Sequence, residues 1–227
     1  MMVMLIIAHR VNTLAKLKET PVKYGVEIDV RHNNNSGLYL NHDPGDGESL
    51  EEYLKNFRHA FVIFNIKEAG IEQQCIDLAK KYKIPQSRYF LLDVEFPYLY
   101  RASRKENVRE IAVRFSEAEP VEMTFAQEGF VDWCWIDTNN ILPLYTQNYI
   151  DKNDQTTKNS QVRFSMNPTV RQRLGASFKT CLVSPDRWDS KEPDPTRRVK
   201  EYRRQIEELK FPLTAVMVGL EYAHFWH

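Results

Sequence analysis

The chain has 227 residues, with 31 Lys plus Arg against 31 Asp plus Glu and a net charge of zero. This length suits one large domain, and a composition 42% apolar and 12% aromatic can furnish a sizeable core. Exact charge balance argues against a general nucleic-acid or anionic-membrane binder, and no run approaches the ~20 apolar residues of a membrane helix, so neither nucleic acid nor a membrane span is expected.

The opening stretch, Met1–Ala8, is apolar, lacks a basic leader and meets Arg10 at once. It reads as a strand over Val3–Ala8 rather than a signal peptide. Strand two is expected at Gly25–Arg31, followed by a short strand at Leu38–Asn41 and a helix at Leu50–Phe57. Alternation then continues: strand Phe61–Ile66, helix Ile71–Tyr82, strand Tyr89–Leu92, helix Tyr98–Lys105, strand Glu110–Phe115, helix Val121–Gln127, strand Val131–Ile136. Leu144–Asp151 reads as a helix, and Thr156–Met166 as either a loop or a small hairpin. Strand Thr180–Ser184 precedes a helix at Thr196–Leu209, introduced by Asp194-Pro195 as N-cap and first-turn proline. That helix carries Arg203 and Arg204 four residues before Glu207 and Glu208, the pattern of a solvated helix rather than a basic patch. Thr214–Val218 is the eighth long strand, and Tyr222, Phe225 and Trp226 beyond it are expected to pack on the core. Cys75, Cys134 and Cys181 are dispersed and form no CxxC, which suits a reducing cytoplasm and no zinc cluster. Only 8 glycines occur, against a usual share of ~7%, so a glycine-rich phosphate loop is not expected.

Strands alternating with helices indicate an α/β fold with a parallel sheet, either a closed (β/α)8 barrel or a doubly wound sheet. The strand ends favour the barrel. His9, Asp29, Lys67, Asp93, Arg114, Asp137, Asp186 and Glu221 lie at or just beyond successive strands. A barrel builds its site from many strand ends, whereas a doubly wound sheet needs one switch point.

In strand two, Val26, Ile28 and Val30 share one face, and Glu27 and Asp29 share the other. Two carboxylates so placed repel unless a cation, a shared proton or basic neighbours compensate, and a hard divalent ion such as Mg²⁺ or Ca²⁺ suits oxygen ligands. The alternative is a salt-bridged structural pair. His9 and His42 flank this acid pair in sequence and are candidates for proton transfer; His32, His59, His224 and His227 read as structural. Asn65 and Lys67 share a face at the end of strand three, where Lys67 offers a compact charge for a phosphate oxygen.

The ordered set His9-Arg10, Glu27-x-Asp29, His42-Asp43 and Lys67 resembles the glycerophosphodiester phosphodiesterase family, a TIM-barrel group within the phosphatidylinositol-phosphodiesterase-like superfamily. The match covers residues 9 to 68. The resemblance implies one barrel domain over residues 1–227, trimmed at its last helix, and a hydrolase of lipid metabolism acting on a small-molecule phosphodiester. It implies His9 and His42 as the general acid–base pair and Glu27, Asp29 and the Asn65 position as ligands of a divalent metal ion (Mg²⁺ or Ca²⁺). Arg10, Lys67 and Arg114 would contact the phosphate. Two departures stand out. Val11 occupies the glycine position after His-Arg, and Asn65 replaces the carboxylate expected two residues before Lys67. The second leaves room for an impaired barrel that binds a phosphorylated ligand. A lyase forming a cyclic phosphate would use the same residues.

Overall fold

The computed structural model describes residues 4–34, 37–116, 119–137, 168–187 and 194–227. Val3, Leu144–Asp151 and Thr156–Met166, all assigned above, lie outside them.

The elements are β1 (Leu5–Ala8), α1 (Leu14–Glu19), β2 (Gly25–Asn33), β3 (Gly37–Leu40), β4 (Glu48–Ser49), α2 (Leu50–Asn56), β5 (Phe61–Ile66) and α3 (Glu72–Lys81). Then come β6 (Tyr89–Leu92), α4 (Phe96–Lys105), β7 (Ala112–Phe115), α5 (Val121–Phe125), β8 (Trp133–Ile136), α6 (Pro168–Ser177), β9 (Lys179–Val183), α7 (Thr196–Glu208) and β10 (Ala215–Val218). A 3₁₀ segment, Leu220–Trp226, follows.

Parallel pairing runs from β7 through β8, β9, β10 and β1 to β2, then on to β5 and β6. The circuit returns to β7 through the parallel bridge Leu91–Ile111 and the Leu91 amide, which donates to the Glu110 carbonyl at 2.9 Å. This is the (β/α)8 barrel expected from the strand ends. Its strands are covered on both faces, so they read as near-continuous apolar runs such as FVIFNI in β5.

Local chemistry sets the remaining elements. Thr13 caps α1 by accepting from the Lys16 amide, and Ser49 caps α2 by accepting from the Glu52 amide. Strand β2 runs two residues past its expected end because Val30–Asn33 pair antiparallel with β3. That hairpin, extended by β4, is an appendage on the barrel edge. Helices α1 and α6 had no clear sequence signature; both are short and owe their place to packing of Leu17 and Leu174.

Directly opposite residues in parallel strands share a face. One inward set, including Ile7, Ile63, Phe90, Trp133, Trp135 and Met217, fills the barrel interior, while the outward sets pack against the helices. The two tryptophans are therefore core residues. Gly25 is required here: a Cβ would collide with Ile7 and lie 2.9 Å from Phe61 Cβ. The registers, with the strand tilt an eight-stranded barrel needs, place Glu27, Leu92, Trp135 and Met217 in one layer. His9, Asn65, Arg114 and Val183 form the next layer toward the C-terminal mouth. Trp226 is buried and donates through its indole to Ser184 Oγ, so the chain's last turn does pack on the core. No helix among the described residues is long and apolar enough to cross a membrane.

Candidate active site at the barrel mouth

The inward face of β2 carries Glu27 and Asp29 to the C-terminal mouth, where both are about 1% exposed. Two buried carboxylates on one face need neutralisation. Several partners supply it. Asn65, in register beside Asp29 on β5, directs Nδ2 at Glu27 Oε1 (2.8 Å) and Asp29 Oδ1 (3.2 Å). Lys67 Nζ lies 3.1 Å from Asp29 Oδ1. The Arg10 amide donates to Glu27 Oε2 at 2.8 Å, and its guanidinium approaches Asp29 Oδ2 at 3.7 Å.

His9 Nε2 stands 3.9 Å from Glu27 Oε2. Burial, then the charges of Arg187 and Arg10, push the His9 pKa down from 6.5 to about 3, against the pull of Asp29. Its imidazole is neutral at physiological pH. Burial and the neighbouring Asp29 charge push Glu27 up to about 7, opposed by the Asn65 hydrogen bond. The acid pair thus holds a proton near neutrality: its basic neighbours do not fully compensate it.

His42 lies beside the site on a different support. The Asn41 amide donates to the Asp29 carbonyl at 3.1 Å, anchoring the post-β3 loop to the end of the acid strand. The His42 ring is 40% exposed, and its Nδ1 pairs with Asp43 at 2.9 Å. Arg31, on β2, grips the same loop: its Nε and Nη2 donate to the His42 carbonyl at 3.0 and 2.9 Å, and Nη1 donates to Glu68 at 3.0 Å.

Arg114 differs from expectation. It reaches the mouth, but its guanidinium pairs with Asp93, with Asp137 (2.6 Å) and more loosely with Glu119 (4.0 Å). Those carboxylates, from the ends of β6 and β8 and the approach to α5, already engage the cation assigned above to phosphate. Arg114, Asp93 and Glu119 themselves line a cavity of about 460 Å³ together with Ala112, Phe96 and Met123.

The valine at the family's glycine position has a local solution. The left-handed conformation falls on Arg10 (φ 58°) rather than Val11, which is buried. A non-glycine residue there costs roughly 1–2 kcal/mol. The conformation turns the Arg10 amide onto Glu27.

Sequence reading passed over Asn12 and Arg31. Asn12 grips Asp29 from both sides: Nδ2 donates to Asp29 Oδ2 at 2.8 Å, and the Asp29 amide donates to Asn12 Oδ1 at 2.9 Å. Its only sequence signal is a polar residue shortly after a strand end.

A hard divalent cation suits this donor set. Glu27 Oε1 and Asp29 Oδ1 converge on one point, and Asn65 Oδ1 is buried without a hydrogen-bond partner among the described residues. Rotating the amide would turn that oxygen toward the carboxylates. Among the described residues no three His, Cys, Asp or Glu side chains close on a common position, and Asn65 Oδ1 is the oxygen placed to join Glu27 and Asp29 in a donor set for a hard cation.

The chain matches no protein-family profile and no curated protein sequence. Solved structures similar to it include two phosphodiesterases. One is a glycerophosphoryl diester phosphodiesterase from Parabacteroides distasonis (13% identity, TM-score 0.57, covering 99% of this chain and 86% of that one). The other is a glycerophosphodiester phosphodiesterase from Agrobacterium tumefaciens (13% identity, TM-score 0.56, covering 99% of this chain and 100% of that one). At such identity the likeness establishes a shared barrel fold.

Proposed function

We propose that the chain is a divalent-metal-dependent phosphodiesterase that hydrolyses a diester of glycerol or a related polyol, with His9 and His42 transferring the protons. The observation that carries this reading is the convergence of Glu27, Asp29 and Asn65 beside His9, Arg10 and Lys67 at a barrel mouth. What a cation held by Glu27, Asp29 and Asn65 supplies is neutralisation and orientation of the phosphodiester.

The chain's own groups divide the remaining work. Lys67 and the Arg10 guanidinium lie within reach of phosphate oxygens above Asp29. His9, neutral at physiological pH, takes the proton of the attacking water as its oxygen bonds to phosphorus. The bond from phosphorus to the alcohol oxygen breaks, and His42, steadied by Asp43, gives that oxygen a proton. The products are a phosphomonoester and an alcohol. Three free, buried cysteines, whose thiol pKa values burial raises, fit a reducing compartment, and a cytoplasmic role in lipid metabolism is part of the proposal.

A second reading, an impaired barrel that binds a phosphorylated ligand, is favoured by one observation: Asn65 Nδ2 already bridges both carboxylates. Phosphorus NMR of glycerophosphodiesters incubated with the protein and Mg²⁺ or Ca²⁺ decides. Appearance of a monoester supports the hydrolase. Retained phosphate-ligand binding with no turnover supports the second reading.

A further inference from the structure

We infer that Arg31 is a positioning residue for His42, and that with Glu68 it forms a brace linking the two loops that deliver His42 and Lys67. This deepens the phosphodiesterase reading and rests on it for its catalytic consequence.

The geometry is specific. Arg31 follows the acid pair on β2 and is 14% exposed. Two guanidinium nitrogens, Nε and Nη2, converge on one acceptor, the His42 carbonyl. The remaining nitrogen, Nη1, meets Glu68 Oε1 at 3.0 Å. Glu68 adjoins Lys67, and its other oxygen accepts from the His32 amide at 3.4 Å. One planar fork therefore spans the post-β3 and post-β5 loops. His42 needs such support: its ring is 40% exposed, and its partner Asp43 lies on the same loop. Without the brace, the Asn41 amide bond to the Asp29 carbonyl is the remaining tie, among the described contacts, between the His42 loop and the acid strand. Lysine retains the charge but presents one nitrogen on a flexible stem, so it cannot reproduce the rigid fork that places two nitrogens on the carbonyl and a third on Glu68.

Two arms test this. In the first, Arg31→Lys is made in wild-type and in His42→Ala protein, and glycerophosphodiester hydrolysis is measured. The expected result is a kcat loss of about ten- to a hundredfold in the wild-type background with little change in KM, and less than about twofold in the His42→Ala background. Equal losses in both backgrounds, or a rise in KM with kcat unchanged, would overturn the inference.

The second arm needs no turnover. Imidazole nitrogen resonances and relaxation of His42 are recorded in the wild type and in Arg31→Lys. Increased ring mobility or tautomer averaging in the variant is expected; identical spectra overturn the inference. Absence of hydrolysis in wild type together with the expected change in the ring signals sinks the phosphodiesterase reading and leaves the brace standing.

Discussion

The side-chain nitrogen of Asn65 stands 2.8 Å from Glu27 Oε1, a neutral donor facing a buried carboxyl oxygen. Replacing it with aspartate exchanges attraction for repulsion. Asn65→Asp in metal-free protein is expected to lose about 1–3 kcal/mol, lowering Tm by roughly 2–10 °C. A divalent cation should then bind at least about tenfold more tightly, because a third charge joins the ligand set. Calorimetric titration with Mg²⁺ and Ca²⁺, beside melting curves with and without each ion, measures both. An unchanged affinity would refute a cation site at this position.

Proton linkage follows from the same pair. Folding raises the Glu27 pKa from 4.5 to about 7, so its contribution to stability is fully present below pH 4.5 and fades as pH climbs through 7. His9 acts in the opposite sense. Lowered from 6.5 to about 3, it contributes above pH 6.5 and loses that contribution as pH falls through 3. His9→Ala should therefore flatten the acid limb of metal-free stability and leave the Glu27 limb in place. A cation must displace the shared proton, so its affinity should rise with pH up to about 7. Binding enthalpies in buffers of different ionisation enthalpy report the released proton directly.

The two histidines make separable demands on turnover. His9→Ala and His42→Ala are each expected to lower kcat by about 10² to 10⁴. Circular dichroism should be unaltered for His42→Ala, whose ring is half-exposed. Unchanged turnover in both purified variants would refute acid–base catalysis by this pair.

Arg114 is expected to matter for stability before binding. Its cation sits among Asp93, Asp137 and Glu119, so Arg114→Gln leaves partly buried carboxylates uncompensated. With the guanidinium about a third exposed, the loss should be about 1–3 kcal/mol by urea denaturation. KM for the diester should stay within about twofold. A large rise in KM at unchanged stability would return Arg114 to the phosphate.

The barrel was legible because its signal is repeated. Each of eight strands is an apolar run ending in a polar residue, and β2 carries strict alternation that fixes which residues face inward. Period-two reasoning accordingly found Glu27, Asp29, Asn65 and Lys67 as neighbours. It cannot see how charges pair across strands. Asp93, Arg114 and Asp137 were each visible as strand-end residues, but their mutual neutralisation depends on the order β6–β7–β8 and on side-chain reach. Asn12 and Arg31 escaped for a related reason. Each acts through backbone or carboxylate partners at least 11 positions away, and neither carries a pattern of its own.

The thin join between β6 and β7 has a dynamic consequence. Elsewhere the barrel strands are stitched by ladders of two to six residue pairs; here one bridge and the Leu91 amide close the circle. Opening free energies vary across a structure with local hydrogen bonding, so this join is where the cylinder should unzip first. Amide hydrogen exchange would register it as faster exchange at Leu91 than at Ile63, deep in the β2–β5 ladder. Each such opening would loosen the wall at Ala112, which lines the space flanked by Phe96 and Met123, giving the interior a breathing slit beside Arg114.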